Sequence, residues 1–258
     1  MHNVTFAGDI DVVSLILYSF FAFFLGLVLY LRREDRREGY PLEDDVTGAL
    51  ETTPGFLFIA QPKAFLLADG VISKPDGNRD SADLKAQRTS VAPGSPIEPV
   101  GDPMLAGVGP GSYAQRERKA EQMLHGGPKI VPLRVATAFH VVGEANDPRG
   151  MKAVCADHLV AGVVTDVWVD QAEALIRYLE VELASDVGTG KVLVPMTMAV
   201  VQKAKREVKV NSVLAHHFGT APKLANPNEV TKDEEERIVA YFGGGLLYAH
   251  AQRMEPLL

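Results

Sequence analysis

The sequence predicts a single membrane-spanning α-helix followed by a mainly β, barrel-like domain that ends in a helix. Three observations carry this reading. Val12 to Leu31 run VVSLILYSFFAFFLGLVLYL, twenty residues without a charge. From about Ile130 the chain turns to short segments with a period of two, the mark of half-buried strands. Near the end, Thr231 and Glu234 form the T-x-x-E signal that opens a helix.

At about 1.5 Å of rise per residue, the apolar stretch makes a helix of roughly 30 Å, the hydrocarbon thickness of a bilayer. A core helix would carry a polar stripe, and this one has none. A secretory leader would follow a basic segment, whereas the residues upstream include Asp9 and Asp11 and no Lys or Arg. The basic cluster Arg32, Arg33, Arg36 and Arg37 lies downstream. By the positive-inside rule, residues 1–11 are then periplasmic, 12–31 span, and the bulk of the chain is cytoplasmic. Within the span, Ser19, Ala22 and Gly26 set small residues along one face, where another helix can approach closely. The four arginines suit anionic lipid or the acidic surface of a partner, at about 1 kcal/mol each near the membrane.

Net charge is −7. With Asp9 and Asp11 removed from 33 acids, 31 acids face 26 Lys and Arg beyond residue 31. That balance argues against nucleic acid as a partner. The one cysteine, Cys155, lies between Val154 and Ala156 and reads as a core residue in a reducing compartment.

After the span, Gly39 and Pro41 end the helix. Phe56–Ala60 and Ala64–Ala68 read as short strands. The stretch Ser73–Ser112 holds six prolines and six glycines and no hydrophobic period. So long a loop is either disordered or laid over something larger, and its scattered apolar residues favour the second reading. Residues 32–128 therefore form a membrane-surface and extended region, and 129–258 the β domain. The GVGPG of 107–111 is no phosphate cradle, since no strand leads into it and Pro110 lacks an N–H. In VVTDVWVD (163–170), Val163, Thr165, Val167 and Val169 share one face, and Val164, Asp166, Trp168 and Asp170 the other. In RYLEVEL (177–183), Leu179, Val181 and Leu183 point inward, and Tyr178, Glu180 and Glu182 outward. Strands at 191–195 and 207–210, with a basic KAKR turn (203–206) between them, complete a small antiparallel sheet curled into a barrel. The final helix runs to about Phe242, and Gly243–Gly245 stop it.

Catalytic patterns are missing: no H-E-x-x-H, no paired CxxC, no G-x-S-x-G and no Walker loop. No metal, cofactor or catalytic residue is expected of this chain. The adjacent His216 and His217 would point apart on a regular element, and His140 reads as a core histidine. One cluster stands out at the tip joining the two best strands, where Asp170, Glu173 and Arg177 fall together. Such residues are ordinarily solvated turn charges. Buried against a partner, the carboxylates would titrate nearer neutrality and could pass protons.

The chain resembles the H-subunit family of purple-bacterial photosynthetic reaction centres. The resemblance runs end to end through YLRREDRREGYPLE (30–43), VGDPM (100–104), GVGPGSYA (107–114), KIVPLRVA (129–136), DPRG (147–150), VTDVWVD (164–170), RYLEVEL (177–183) and EEERIVAYFGGGLLYA (234–249). It implies a PRC-barrel-like antiparallel β-barrel and a non-pigment subunit that caps the L and M subunits. Those subunits carry the bacteriochlorophyll, bacteriopheophytin, quinones and non-haem iron. It also implies core light-harvesting polypeptides, a cytochrome subunit and membrane lipids as neighbours, in an intracytoplasmic (chromatophore) or inner membrane. In that family the acidic residue matching Glu173 sits on the proton route to the secondary quinone, with those matching Asp170 and Arg177 nearby; Glu173 is the expected main relay here, with Arg177 favouring its charged form. Family members often pair two histidines and an aspartate at a proton entry. Here MLHGGPK (123–129) leaves only His125, so entry there is weakened and no strong metal site is expected. The competing readings are a membrane-anchored enzyme and an anchored PRC-barrel adaptor without a redox role. The matches at 30–43 and 100–114, outside the barrel, count against the adaptor.

Overall fold

The computed structural model describes residues 5–7, 10–37, 40, 42, 44, 46–47, 49, 60, 62–68, 70–74, 84–92, 94–143 and 147–254. The chain forms two units, one from residues up to 82 with 92–94, the other from residues 83–91 and 95 onward. In the first unit, strands β1 (Thr5–Ala7) and β2 (Ile10–Asp11) precede helix α1 (Val12–Glu34). The Asp11 side chain caps α1 by accepting the Val13 N–H at 3.2 Å, and one 3₁₀ turn, Asp35–Arg37, extends it. The helix thus outruns the uncharged stretch by a full turn of Arg, Glu and Asp. None of its residues is buried within the chain. It is the one helix among the described residues long and apolar enough to cross a membrane. Strands β3 (Phe65–Leu66) and β4 (Ile72–Ser73) pair as an exposed hairpin. The helix stop at Gly39 and Pro41 lies outside the described residues, as does the strand expected over 56–60 apart from Ala60.

The second unit opens with a hairpin of β5 (Ala86–Arg88) and β6 (Ile97–Pro99). Then come β7 (Ile130–Pro132), β8 (Lys152–Cys155), β9 (Val160–Asp170), β10 (Leu175–Leu183), β11 (Lys191–Pro195), β12 (Val200–Gln202), β13 (Glu207–Val210) and helix α2 (Lys232–Tyr248). The sheet order is β11-β10-β9-β8-β13-β12, with β7 added against β9. All pairs are antiparallel except β13 with β8, which is parallel, so the all-antiparallel expectation fails at this pair. Its long crossover is the chain from β9 through β12, as a parallel pair requires. The sheet has to curl. Five inter-strand steps at about 4.8 Å would set β11 and β12 roughly 24 Å apart if flat. The five residue steps from Pro195 to Val200 reach at most roughly 18 Å.

The inner face carries the core, including Ala153, Val164, Leu179, Val194, Val208 and Val210. The alternation fails on the outer face, where Asp166, Trp168, Tyr178 and Glu180 are buried as well. That part of the sheet is covered, so Tyr178 and Glu180 do not stand outward in solvent. His140, expected in the core, is exposed.

The capping box of α2 forms as expected: the Glu234 N–H donates to Thr231 Oγ1 at 3.2 Å, and the Thr231 N–H donates to Glu234 Oε2 at 2.8 Å. The helix does not end at Gly243, however. It runs through all three glycines to Tyr248. Their purpose is close packing: a Cβ on Gly244 would lie 3.0 Å from Gly111 Cα, and one on Gly245 2.5 Å from Val213 Cγ1 and 2.6 Å from Ser212 O. The GVGPG segment is what lies there, as a 3₁₀ turn at Gly109–Gly111, with the Tyr248 hydroxyl donating to Val108 O at 3.2 Å. The end of the Pro/Gly stretch, Gly107–Gly111, is thus laid over α2 by glycine-to-glycine contact.

Gly245→Ala should destabilise the chain, because overpacking costs about 1–3 kcal/mol against a helical gain of about 0.5–1 kcal/mol. Gly243→Ala, whose Cβ would meet only Pro110 O at 3.5 Å, should be neutral or stabilising. Denaturant unfolding of the full chain in detergent separates the two, and equal gains would refute the packing argument.

Candidate functional site

The hairpin of β9 and β10 turns through Gln171–Ala174, with Ala174 in the left-handed region at φ 53°. Asp170 builds this turn: its Oδ1 accepts the N–H groups of Ala172 at 3.0 Å and Glu173 at 3.1 Å, the local bonding that suits Asp to turns. Ile130 of β7 pairs with Asp170. The neighbouring Lys129 O and Pro128 O accept from the backbone and side chain of Gln171. The Asp170 side chain is 1% exposed and so demands a counter-charge. Lys129 supplies it, with Nζ at 3.3 Å from Asp170 Oδ2 and 3.6 Å from both Glu173 Oε1 and Glu121 Oε1. Desolvation lowers the Lys129 pKa, but the hydrogen bond to Asp170 and the three carboxylate charges outweigh it, so the ammonium is held above its usual range. Glu173 keeps its side chain 54% exposed. The tip therefore joins a sealed carboxylate to an accessible one through a single ammonium.

Arg177 sits elsewhere than expected. Among the described residues, the cation within 4 Å of Asp170 and Glu173 is Lys129. Arg177 instead lines an open cleft of about 390 Å³ with Glu121, Tyr178 and Glu235. There the buried Tyr178 hydroxyl donates to Glu235 Oε2 at 2.8 Å. Burial raises the Glu235 pKa, and the Tyr178 hydrogen bond and the Arg177 charge offset only part of that. Burial and the Glu235 charge push the Tyr178 phenol up in turn. Sequence reading missed Lys129 and Glu235. KIVP at 129–132 was visible as a motif, but nothing local assigned its lysine to a tip forty residues on.

A second polar cluster lies on the covered outer face. Asp166 and Glu180 are direct cross-strand partners, an arrangement that repels unless a cation intervenes. The Arg134 guanidinium intervenes, with Nη1 at 3.0 Å from Asp166 Oδ2 and 2.9 Å from Glu180 Oε2. Glu180 also accepts from Lys191 at 2.6 Å, Trp168 Nε1 at 3.1 Å and Thr165 Oγ1 at 3.0 Å. Burial raises its pKa, and these bonds outweigh burial, leaving the group below the ordinary carboxylate value. Arg134 donates further to Pro227 O, tying the loop before α2 over the sheet.

The remaining expected residues are scattered. His125 is exposed at the tip of the 122–128 turn, whose base is Glu121 and Lys129. Arg37 grips Glu34 in a bidentate pair at 2.7 and 2.8 Å, Arg32 lies 3.6 Å from Asp35, and Arg36 stacks on Tyr40. These three arginines thus have partners within the chain. Ser19, Ala22 and Gly26 are exposed, and a Cβ on Gly26 would meet nothing within 4 Å. The His216 and His217 rings lie 4.0 Å apart between centroids, tilted by 44°, and desolvation, then His216, lowers the His217 pKa. Burial pushes the Cys155 thiol up to about 12, leaving it unreactive. Among the described residues, no three His, Cys, Asp or Glu converge on a metal-sized site.

Glu180→Gln should cost about 1–3 kcal/mol at about pH 7, less than a fully buried pair, because Arg134 and Lys191 remain partly in solvent. A depressed carboxylate stabilises above its unfolded pKa, and that contribution disappears as pH falls through the folded value. Urea unfolding curves of parent and variant should therefore separate at about pH 7 and draw together as pH falls below the ordinary carboxylate range. Coincident curves at the higher pH would show that the cluster contributes nothing.

Two family models match the chain. One, described as the photosynthetic reaction centre H-chain N-terminal region, covers residues 4–135. The other, the PRC-barrel domain, covers residues 141–216, the span of β8 to β13. The first takes in α1, the GVGPG turn, Lys129 and Arg134; the second takes in Asp170, Glu173, Asp166 and Glu180. Together with α1 they describe a subunit anchored in the membrane by one helix, with a barrel domain beyond it. The chain belongs to the H-chain family of the photosynthetic reaction centre.

Proposed function

We propose that this chain caps the L and M subunits on their cytoplasmic side, stabilises the quinone sites and helps conduct protons to the secondary quinone. In this reading residues 1–11 are periplasmic and the barrel is cytoplasmic, in the order that Arg32–Arg37 favour. Ser19, Ala22 and Gly26, bare within the chain, receive a neighbouring helix. Core light-harvesting polypeptides and lipid surround the anchor. The bacteriochlorophyll, bacteriopheophytin, quinones and non-haem iron belong to L and M. The secondary quinone, when bound there, takes up two electrons and two protons.

The single observation that carries the proton role is the tip of the β9–β10 hairpin. A relay into a site closed to bulk water needs fixed groups that bridge wet and dry surroundings. Glu173 reaches solvent, Asp170 is sealed, and Lys129 touches both. Lys129 holds its proton and steadies both carboxylates, so the mobile proton rides on Glu173. Arg177 acts one step away, through Glu235 and Tyr178. His125, at the far end of its turn, contributes as an outer collector. The adaptor reading explains the barrel but not an H-chain match that begins at residue 4.

Glu173→Gln keeps the size of the side chain and removes its titrating proton. The first electron transfer to the secondary quinone should change little. The second, coupled to proton uptake, should slow tenfold or more, equivalent to about 1.4 kcal/mol on the barrier. Small weak acids should restore part of the rate. Glu182→Gln, at an exposed strand position, is the control; Glu180 cannot serve, being buried. Equal second-transfer rates in parent and variant between about pH 6 and 9 would remove Glu173 from the route.

A further inference from the structure

The outer face of the curled sheet is covered over β10 and the end of β9, but exposed at Val200 of β12, Lys152 of β8 and Val160 and Val163 of β9, with Glu207 and Lys209 of β13 half-buried and Val154 of β8 buried. There the outward residues set cations beside valines, with one acid among them. In register, Lys209 lies between Val200 and Val154, and Lys152 between Glu207 and Val163. Lys203, Lys205 and Arg206 crown the β12–β13 turn, with Arg206 in the left-handed region at φ 51°. Val160, Val163 and Val200 are exposed, Val200 by 56%. Among the described residues, none of the five cations has an acidic partner within 4 Å, although the chain as a whole carries −7. Glu207 is the acid inside this island.

We propose that this face binds an acidic polypeptide segment in extended conformation, one that alternates carboxylate and apolar side chains. The cations without an acidic partner and the exposed Val160, Val163 and Val200 beside them match such a segment in charge and apolar character. A lipid surface matches less well. Membrane-interface faces carry Trp and Tyr anchors, and this face has no aromatic side chain; Trp168, the chain's one tryptophan, is buried. The site does not depend on the proton route, and it serves a partner beyond the subunits capped by the rest of the chain.

The test uses the full chain in neutral detergent and a fluorescein-labelled dodecapeptide of alternating Glu and Val, read by anisotropy at low salt, where the field is least screened. Saturable binding is expected. Joint Lys203→Glu, Lys205→Glu and Arg206→Glu should weaken it at least tenfold, and Lys205→Glu alone should weaken it in part. Lys85→Glu with Lys119→Glu, exposed cations elsewhere on the same unit, should leave it unchanged. The assembled complex should bind the peptide as the chain does. Absence of saturable binding, an unaffected triple variant, or loss of binding in the assembled complex would overturn the proposal. So would tighter binding to micelles doped with phosphatidylglycerol than to the peptide, which would mark a lipid site.

Discussion

Burial of the Asp170 carboxylate is the constraint on which the rest of the site depends. A charge with 1% exposure must be compensated, and two sources meet the demand. The backbone N–H groups of Ala172 and Glu173 close the hairpin on one oxygen, and Lys129 meets the other. The first source fixes the turn that presents Glu173. The second fixes β7 against β9, and with it the point where the extended region enters the barrel. One buried charge thus sets the local geometry of the hairpin tip and ties Lys129, in the region matched by one family model, to the barrel matched by the other.

The other junction is apolar. Gly111 and Gly244 bring the extended segment and α2 close enough that a single methyl group would intrude. Between this contact and Lys129, residues 111–129 are held at both ends, to α2 and to the tip of β9. That arrangement explains how the glycine-rich end of the extended segment, Gly107–Gly111, is ordered. It lies on a helix whose surface has been cleared for it.

The span, the strands and the start of α2 were legible in the sequence because their signals are local: an uncharged run, a period of two, a capping box. The failures were long-range. Three consecutive glycines locally signal a helix stop, and only the turn at 109–111 shows why the helix continues. Glu180 alternates as an outward residue, and only Arg134 and the loop at Pro227 bury it. Asp170 and Glu173 were legible as a pair at a strand tip, whereas their cation was assigned by proximity to Arg177, which faces Glu235. Lys129 sits in a recognisable motif, yet its partners lie forty residues on, and no local rule reaches that far.

The central claim is that this chain works as the H subunit of a pigment-bearing reaction centre. The most direct measurement is the near-infrared absorption of the complex that co-purifies with this chain after mild solubilisation. The account predicts bacteriochlorophyll bands in constant proportion to the chain, carried by L and M. A colourless preparation of this chain alone, from membranes that do contain those pigments, would contradict it.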